Sequence, residues 1–239
     1  MSVSSHPAKA IYLANRHPRL SREGFGERWL RHSRIGELVA DARLQSSVSS
    51  LRYCLTVDPT GILGAATNEY DGVALLTLRS VLSIPAFHGV LTENENAYAD
   101  ELRTFERPVE DVTILMASDV LVEGSGTDVV VLEFARRRLD VAPEDYLRHR
   151  DDEHAGQPSY LALIEHGLRR YVRNALVAPA PRGFRYDAVN ELWFDSIDQV
   201  AAASSALEHH FDSMRTQTER RASTILVTTV VQRLGPDHR

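Results

Sequence analysis

The segment Tyr70-Asp71-Gly72-Val73-Ala74 recurs further along the chain as Tyr186-Asp187-Ala188-Val189-Asn190. Both segments begin with a Tyr-Asp pair and continue into strand-forming residues, so each predicts the start of a β-strand. The recurrence of this pattern is the first sign that the chain contains an internal repeat.

Further matches support the repeat. Three more pairs occur in the same order along both halves of the chain: Phe25 with Tyr146, Tyr53 with Tyr171, and Thr113 with Thr224. The spacing between partners decreases slowly, as deletions in surface loops would cause. We therefore predict two copies, residues 1–122 and 127–239, separated by the short Gly-containing link 123–127.

Each copy predicts the element order β-α-β-β-α-β. The predicted strands are 9–15, 50–57, 70–78 and 112–121 in the first copy and 128–135, 169–177, 185–194 and 223–233 in the second. The first helix of each copy begins near a recognisable signal, a capping Ser21 and the helix-opening Pro143. The remaining predicted helices are 80–87, 93–105 and 196–216.

This order is that of the ferredoxin-like unit, whose helices cover one face of an antiparallel sheet. The other face is left apolar and needs a partner. Two copies in one chain can cover each other, which predicts an α+β fold: two tandem ferredoxin-like units forming an intramolecular pseudo-dimeric α+β barrel. Two independent units on a linker are the alternative, and the short link favours close packing.

Composition limits the class of protein. The chain has 239 residues, 43% of them hydrophobic, and a formal net charge of −6. This acidic balance argues against a protein that neutralises nucleic-acid phosphates. The single cysteine, Cys54, fits a reducing compartment. With no apolar leader and no run of membrane-spanning length, we expect a cytoplasmic protein with no membrane partner.

Three stretches resemble the EthD domain family of the dimeric α+β barrel superfamily. They are Ser-x-Glu-x-Phe-x-x-x-Trp within 21–29, Leu-Arg-Arg-Tyr-Val-x-Asn at 168–174, and the segment 186–196. The resemblance covers nearly the whole chain as two tandem copies. It implies the barrel fold. It leaves the activity open, because superfamily relatives include cofactor-free cyclases, decarboxylases, dehydratases, isomerases and small monooxygenases.

The resemblance also indicates where the two copies differ. His154 matches a helix position at which the family usually carries His, whereas the first copy has Ser33 there. His32 lies one residue earlier, about 100° around an ideal helix. The acidic family position is Glu191 in the second copy and Leu75 in the first. We therefore expect one working pocket in residues 128–239 and a degenerate site in the first copy.

His154 is the leading catalytic candidate, because a histidine can exchange a proton near neutral pH. The competing interpretation is a surface histidine paired with its acidic neighbours 151–153. Glu191 is the second candidate. It shares a strand face with Asp187, Val189 and Trp193, where burial would raise its pKa. The alternative for Glu191 is a buried, hydrogen-bonded structural group.

The predicted substrate-binding residues are Tyr171, Tyr186, Asp187 and Trp193. The two tyrosines could donate to a substrate carbonyl as its charge develops, with core packing as the alternative. No metal or cofactor is predicted. His149 and His154 are five residues apart, whereas a spacing of four would suit a shared metal better.

Two functions follow as hypotheses. The first is a cofactor-independent lyase or isomerase of the decarboxylase, dehydratase or cyclase type, acting on a small apolar oxygenated ring compound through His154. The alternative is a non-catalytic accessory protein that binds a hydrophobic metabolite. Haem chemistry, as in distant barrel relatives, is a weaker third hypothesis. A homodimer of pseudo-dimers is also left open.

Overall fold

The computed structural model describes residues 8–34, 41–80, 83, 93, 95–124, 128–152, 159–177, 179–216 and 218–234. Its eight strands are β1 (Ala8–Ala14), β2 (Val48–Thr56), β3 (Gly72–Leu78), β4 (Thr113–Val122), β5 (Val129–Ala135), β6 (Arg170–Leu176), β7 (Ala188–Phe194) and β8 (Thr224–Leu234). All eight strands predicted from the sequence are confirmed, with ends that differ by two or three residues at most.

The described helices accompany these strands. They are α1 (Arg22–His32), α2 (Ala42–Ser47), α3 (Glu95–Thr104), α4 (Val109–Val112), α5 (Pro143–Asp152), α6 (Leu161–Glu165), α7 (Ile197–Ala202) and α8 (Ser204–Ser213). The helix predicted over 196–216 is divided at Ala203 into α7 and α8 and ends in a 3₁₀ turn, Met214–Thr216. The predicted helix 80–87 lies almost entirely outside the described residues. No described helix has the length and apolarity that crossing a membrane would require.

The strands close into one antiparallel barrel in the order β1-β3-β2-β8-β5-β7-β6-β4. The first four strands are neighbours in the order β4-β1-β3-β2, and the last four repeat it as β8-β5-β7-β6. The two groups meet where β2 pairs with β8 and where β4 pairs with β6. All eight strands therefore share one sheet, although each half keeps its own strand order.

The barrel has apolar packing on both sides of its wall. The lumen is filled by alternate residues of the strands, among them Ile11, Leu75 and Leu132. Residues of opposite parity, such as Tyr12, pack outward against helices. Burial on both faces explains why β5 reads as an almost unbroken apolar run.

The helices lie on the outer face. Helix α1 begins at its predicted N-cap, where the Ser21 side chain accepts from the Gly24 N–H at 3.0 Å. It buries Phe25 and Trp29 against the first-half sheet. Helix α5 places Tyr146 against Ala135 and Ala188 on the outer face of the second half.

One turn recurs in both halves. The Asp71 carboxylate accepts from the Arg16 backbone N–H at 3.0 Å, and the Asp187 carboxylate accepts from the Arg137 backbone N–H at 2.9 Å. Each aspartate directly precedes the third strand of its half. Its hydrogen bond connects the start of that strand to the segment just after the first strand of the same half. The aspartate of the recurring Tyr-Asp pair therefore has the same structural role in both halves.

Candidate functional site

Glu191 lies inside the barrel rather than beneath a helix. Its carboxylate forms an ion pair with the Lys9 ammonium from β1 and accepts from Asn174 Nδ2 at 2.8 Å and Trp193 Nε1 at 3.2 Å. Burial alone would raise the pKa of Glu191, but Lys9 and these hydrogen bonds hold it below its usual value. The raised pKa expected from the sequence is therefore wrong, because the sequence pattern did not reveal the partner Lys9.

A small cavity adjoins this ion pair at one end of the lumen. Its volume is about 100 Å³. The lining includes residues of both halves: Lys9, Ser50, Arg52, Thr77, Ser118 and Val120 from the first, and Gly124, Arg170, Val172, Glu191 and Trp193 from the link and the second. The cavity beside Glu191 is therefore built from residues of both halves of the chain, whereas the sequence predicted a working pocket in residues 128–239. A closed barrel brings β1, β2 and β4 to the same opening as β6 and β7.

The other predicted binding residues are scattered. Trp193 does lie beside Glu191, with the Arg52 guanidinium 5.4 Å from its ring centroid. Asp187 does not share their face, because it precedes β7 and is held by Arg136 and Arg137. Tyr186 packs against Phe134 near the opposite end of the lumen.

Tyr171 belongs to the opposite face of the sheet. Its ring packs against Tyr160 and His210 beneath the second-half helices. Tyr171 is therefore packed in the core, which is the alternative that the sequence left open. Tyr171 and Glu191 cannot contribute to a common pocket, because successive side chains of the sheet point to opposite faces.

His154 lies outside the described residues. The helix that precedes it, α5, packs on the outer face, whereas Glu191 points into the lumen. The sheet therefore separates α5 from Glu191. His154 and Glu191 were predicted to share one pocket, but the alternation of side chains along β7 puts Glu191 on the side of the sheet opposite α5.

The outer face, against which α5 packs through Tyr146, also carries a buried polar row that was not predicted from the sequence. Glu133 of β5 is 3% exposed and accepts from Asn190 Nδ2 of β7 at 2.7 Å. Asn190 pairs in register with Arg173 of β6, whose guanidinium donates to Asp119 at 2.8 Å. The sequence does contain an indication of this polar row, since Glu133 is the one charged residue in the apolar run of β5.

The first half has no such row at the matching register. There, Ala74 lies between Tyr12 and Tyr53, where the second half has Asn190 between Glu133 and Arg173. Trp29 fills this space and donates from Nε1 to the Tyr12 hydroxyl at 2.9 Å. By this register, Tyr53 of the first half corresponds to Arg173 of the second half. The sequence comparison matched Tyr53 with Tyr171, two residues earlier. A shift of two leaves the face unchanged.

The first half does contain a buried histidine. His32 Nδ1 lies 2.9 Å from Asp100 Oδ2, and its ring packs edge-on against Phe105. Burial lowers the pKa of His32, although the Asp100 carboxylate opposes this effect. His32 was not a predicted candidate, because it lies one residue before the position at which the family usually carries His.

A second and larger cavity lies near the far end of β1. Its volume is about 270 Å³. Its wall combines apolar and polar groups. The aromatic and aliphatic side chains are Tyr12, Leu13, Tyr70, Phe105, Val109, Val112 and Phe184, and the exposed Glu106, Arg107 and Asp111 also line it. Among the residues that the structure describes, no group of three or more His, Cys, Asp or Glu is placed to hold a metal ion.

Comparison with known proteins identifies the fold. No family model and no curated protein matches the sequence. Solved structures do match. A protein described as a candidate monooxygenase from Fusobacterium nucleatum has a TM-score of 0.58 at 9% identity, covering 98% of this chain and 97% of that chain. An anthrone oxidase-like protein has a TM-score of 0.58 at 14% identity, covering 97% and 94%.

A third match is a mutant chlorite dismutase from Candidatus Nitrospira defluvii, with a TM-score of 0.55 at 9% identity, covering 96% of this chain and 93% of that chain. These proteins belong to the dimeric α+β barrel superfamily. The chain therefore has a dimeric α+β barrel fold. At these identities the likeness extends to the fold and not to the activity.

Proposed function

We propose that the chain is a cofactor-independent lyase or isomerase that acts on a small oxygenated ring compound. The proposed site lies on the outer face of the second half, the face against which α5 packs. The observation that carries the proposal is the buried Glu133 carboxylate, held by Asn190 next to Arg173 in register. A carboxylate fixed in such a dry, oriented setting is suited to proton transfer.

In the proposed reaction, Glu133 removes a proton from the carbon beside a substrate carbonyl. The electron pair of that C–H bond moves onto the carbonyl oxygen, and the positive charge of Arg173 stabilises the resulting enolate. An isomerase returns the proton to a different carbon. A lyase instead expels a leaving group from the neighbouring carbon. Asn190 orients the carboxylate throughout by its hydrogen bond.

The difference between the halves supports this location. Tyr12, Ala74 and Tyr53 occupy the equivalent register of the first half, where the Trp29 indole packs against both tyrosine rings. Among the residues that the structure describes, this polar row, which burial makes costly, is present in only one of the two halves of the sheet. His154 lies two residues after the end of α5 in sequence, and α5 packs on this outer face, so we keep His154 as the proposed general acid or base.

The test uses cyclohex-3-enone, whose conversion to cyclohex-2-enone requires only a proton shift and is followed by ultraviolet absorbance. We expect the protein to accelerate the conversion and Glu133→Gln to reduce the rate by roughly 10²–10⁴-fold. The paired change Lys9→Met with Glu191→Gln removes the lumen ion pair and is expected to leave most of the rate. A loss confined to the lumen double variant would contradict the assignment to Glu133.

The accessory-protein alternative is favoured by a different observation. The cavity of about 270 Å³ has aromatic side chains in its wall and approaches the size of typical small-molecule pockets. This alternative predicts that 1-naphthol binds there without chemical change and that Val112→Phe blocks binding. Binding of 1-naphthol together with no acceleration of cyclohex-3-enone conversion would favour the accessory function over catalysis.

We further infer that the chain is a tandem ferredoxin-like pseudo-dimer related to EthD proteins. The repeated strand orders β4-β1-β3-β2 and β8-β5-β7-β6 support the pseudo-dimer. The sequence segments quoted above support the relation to EthD. A cytoplasmic location and the pairing of two chains stay predictions, to be tested by cell fractionation and by the mass of the purified protein in solution.

A further inference from the structure

The sequence contains a single lysine, Lys9, and all the others of its 27 lysines and arginines are arginines. Lys9 lies on β1 inside the barrel and is only 8% exposed. An arginine guanidinium stays charged, whereas a lysine amine can lose a proton and act as a nucleophile toward a carbonyl carbon. The only side-chain amine of the chain is therefore enclosed by the barrel rather than exposed to solvent.

The repeat shows how the equivalent place is built without charge. By the register of the two halves, Lys9 of β1 corresponds to Val130 of β5. The partner of Lys9, Glu191, corresponds in the same way to Leu75. Val130 and Leu75 are both buried in the apolar core of the lumen. Because apolar residues often stabilise a core as well as a buried ion pair does, packing alone does not explain the charged pair.

Lys9 borders the lumen cavity of about 100 Å³. Among the described residues, Nζ of Lys9 has one hydrogen-bond partner, the Glu191 carboxylate. Two of the three N–H bonds of the ammonium group are therefore without an acceptor in that part of the chain. Glu191 itself is held by Asn174 Nδ2 at 2.8 Å and Trp193 Nε1 at 3.2 Å. The amine thus lies next to both a cavity and a fixed proton acceptor.

A buried hydroxyl on the same cavity is an independent indication of a ligand. Ser50 is 5% exposed, yet its Oγ has no hydrogen-bond partner within the described part of the chain. A buried hydroxyl without a partner is costly, and a ligand oxygen that accepts from Ser50 would remove that cost. A carbonyl compound offers such an oxygen together with a carbon atom that an amine can attack.

We propose that Lys9 binds a small aliphatic aldehyde covalently, as a Schiff base in the lumen cavity. Glu191 takes a proton from the Lys9 ammonium, and the freed electron pair on Nζ forms a bond to the carbonyl carbon. The π electrons of the C=O bond move onto the oxygen, which accepts a hydrogen bond from Ser50 and takes the proton back from Glu191.

Loss of water completes the Schiff base. Glu191 carries a second proton from Nζ to the hydroxyl oxygen, the C–O bond breaks, and water leaves as the C=N bond forms. The iminium product keeps one positive charge on Nζ beside the Glu191 carboxylate. The reaction therefore leaves neither of the two buried charges without its partner.

The size of the cavity limits the aldehyde. A volume of about 100 Å³ has room for a few non-hydrogen atoms and not for an aromatic ring. The lumen cavity and the Glu133 site lie on opposite faces of the sheet, so this binding site does not depend on the proposed catalysis.

The single lysine makes a direct test possible. The folded protein is treated with acetaldehyde and sodium cyanoborohydride, which reduces a Schiff base to a stable secondary amine, and peptide mass spectrometry locates the added ethyl group. We expect labelling of Lys9 in the folded protein at a rate that saturates with acetaldehyde concentration. The N-terminal amine serves as the internal reference. Benzaldehyde is expected to label that amine and not Lys9, because its ring exceeds the cavity.

Variants identify the groups responsible. Lys9→Arg keeps a positive charge for Glu191 but has no amine, so labelling is expected only at the N-terminus. Ser50→Ala is expected to slow the labelling of Lys9 by about 3- to 10-fold. Ser49→Ala is the matched control, because the Ser49 hydroxyl donates to the Thr77 carbonyl at 3.1 Å and is not part of the cavity lining.

Three results would overturn the proposal. The first is labelling of Lys9 only after the protein is unfolded in urea, which would mean that the lysine is merely protected by the barrel. The second is labelling of Lys9 in the folded protein by benzaldehyde as fast as by acetaldehyde. The third is an equal effect of Ser49→Ala and Ser50→Ala on the rate.

Discussion

Lys9 of β1 and Glu191 of β7 form an ion pair inside the barrel although 182 residues separate them in sequence. Lys9 comes from the first half of the chain and Glu191 from the second. Because both side chains are almost fully buried, each charge depends on the other for its stability. The pair therefore links the folding of the two halves.

This dependence predicts the stability of variants. Lys9→Met alone should lower the free energy of unfolding by about 3–5 kcal/mol, because it leaves the Glu191 carboxylate buried and uncompensated. Adding Glu191→Gln to Lys9→Met should recover much of the lost free energy of unfolding. Urea unfolding of the single and double variants measures both effects. A double variant no more stable than Lys9→Met would show that the pair is not coupled in this way.

A second prediction concerns pH. Burial raises the pKa of Glu101 to about 7, with Glu110 and Asp100 adding to the effect and the Val109 N–H opposing it. The folded protein therefore holds a proton that the unfolded chain releases at lower pH, and this contribution to stability falls as pH rises from about 4.5 to about 7.

Glu101→Gln removes that proton exchange and keeps an acceptor for Val109. We expect the stability of this variant relative to wild type to increase across the same pH range, as measured by urea unfolding at several pH values. Glu106→Gln, at an exposed neighbouring position, serves as the control and should follow wild type. Parallel pH curves for Glu101→Gln and wild type would contradict the prediction.

A third prediction concerns the tight packing around Gly72 at the start of β3. A Cβ atom there would lie 2.7 Å from the Cys54 carbonyl oxygen and would also collide with the Trp29 ring. Gly72→Ala should therefore destabilise the protein by about 1–3 kcal/mol. Gly64→Ala is the comparison, because its Cβ would meet only the flexible end of Glu208. Equal thermal stabilities of the two variants would contradict this reasoning.

The proposed role of His154 gives a fourth prediction. His154→Ala should reduce conversion of cyclohex-3-enone by about 10²-fold or more if this histidine transfers the proton. His149→Ala is the control, since His149 is exposed on α5. Equal rates in the His154→Ala and His149→Ala variants would show that His154 has no role in the mechanism. The role of Glu133 is tested separately by Glu133→Gln.

Much of the fold was predictable from local patterns. Runs of β-branched and aromatic residues located the eight strands, and the recurring Tyr-Asp pair predicted a repeat. Ser21 was recognisable as an N-cap because that interaction depends on residues three positions apart. The site was less predictable. Glu133 was overlooked in an apolar strand, and the partner of Glu191 comes from the other half of the chain.

The sequence by itself determined the strands, the order of elements along each half of the chain and the set of residues that share a face within one strand. These properties follow from backbone periodicity and from neighbours along the chain. Only the tertiary structure decided which face became the lumen, since that depends on how the barrel closes. Closure joined Lys9 to Glu191 and left α5 with Glu133 on the opposite side of the sheet.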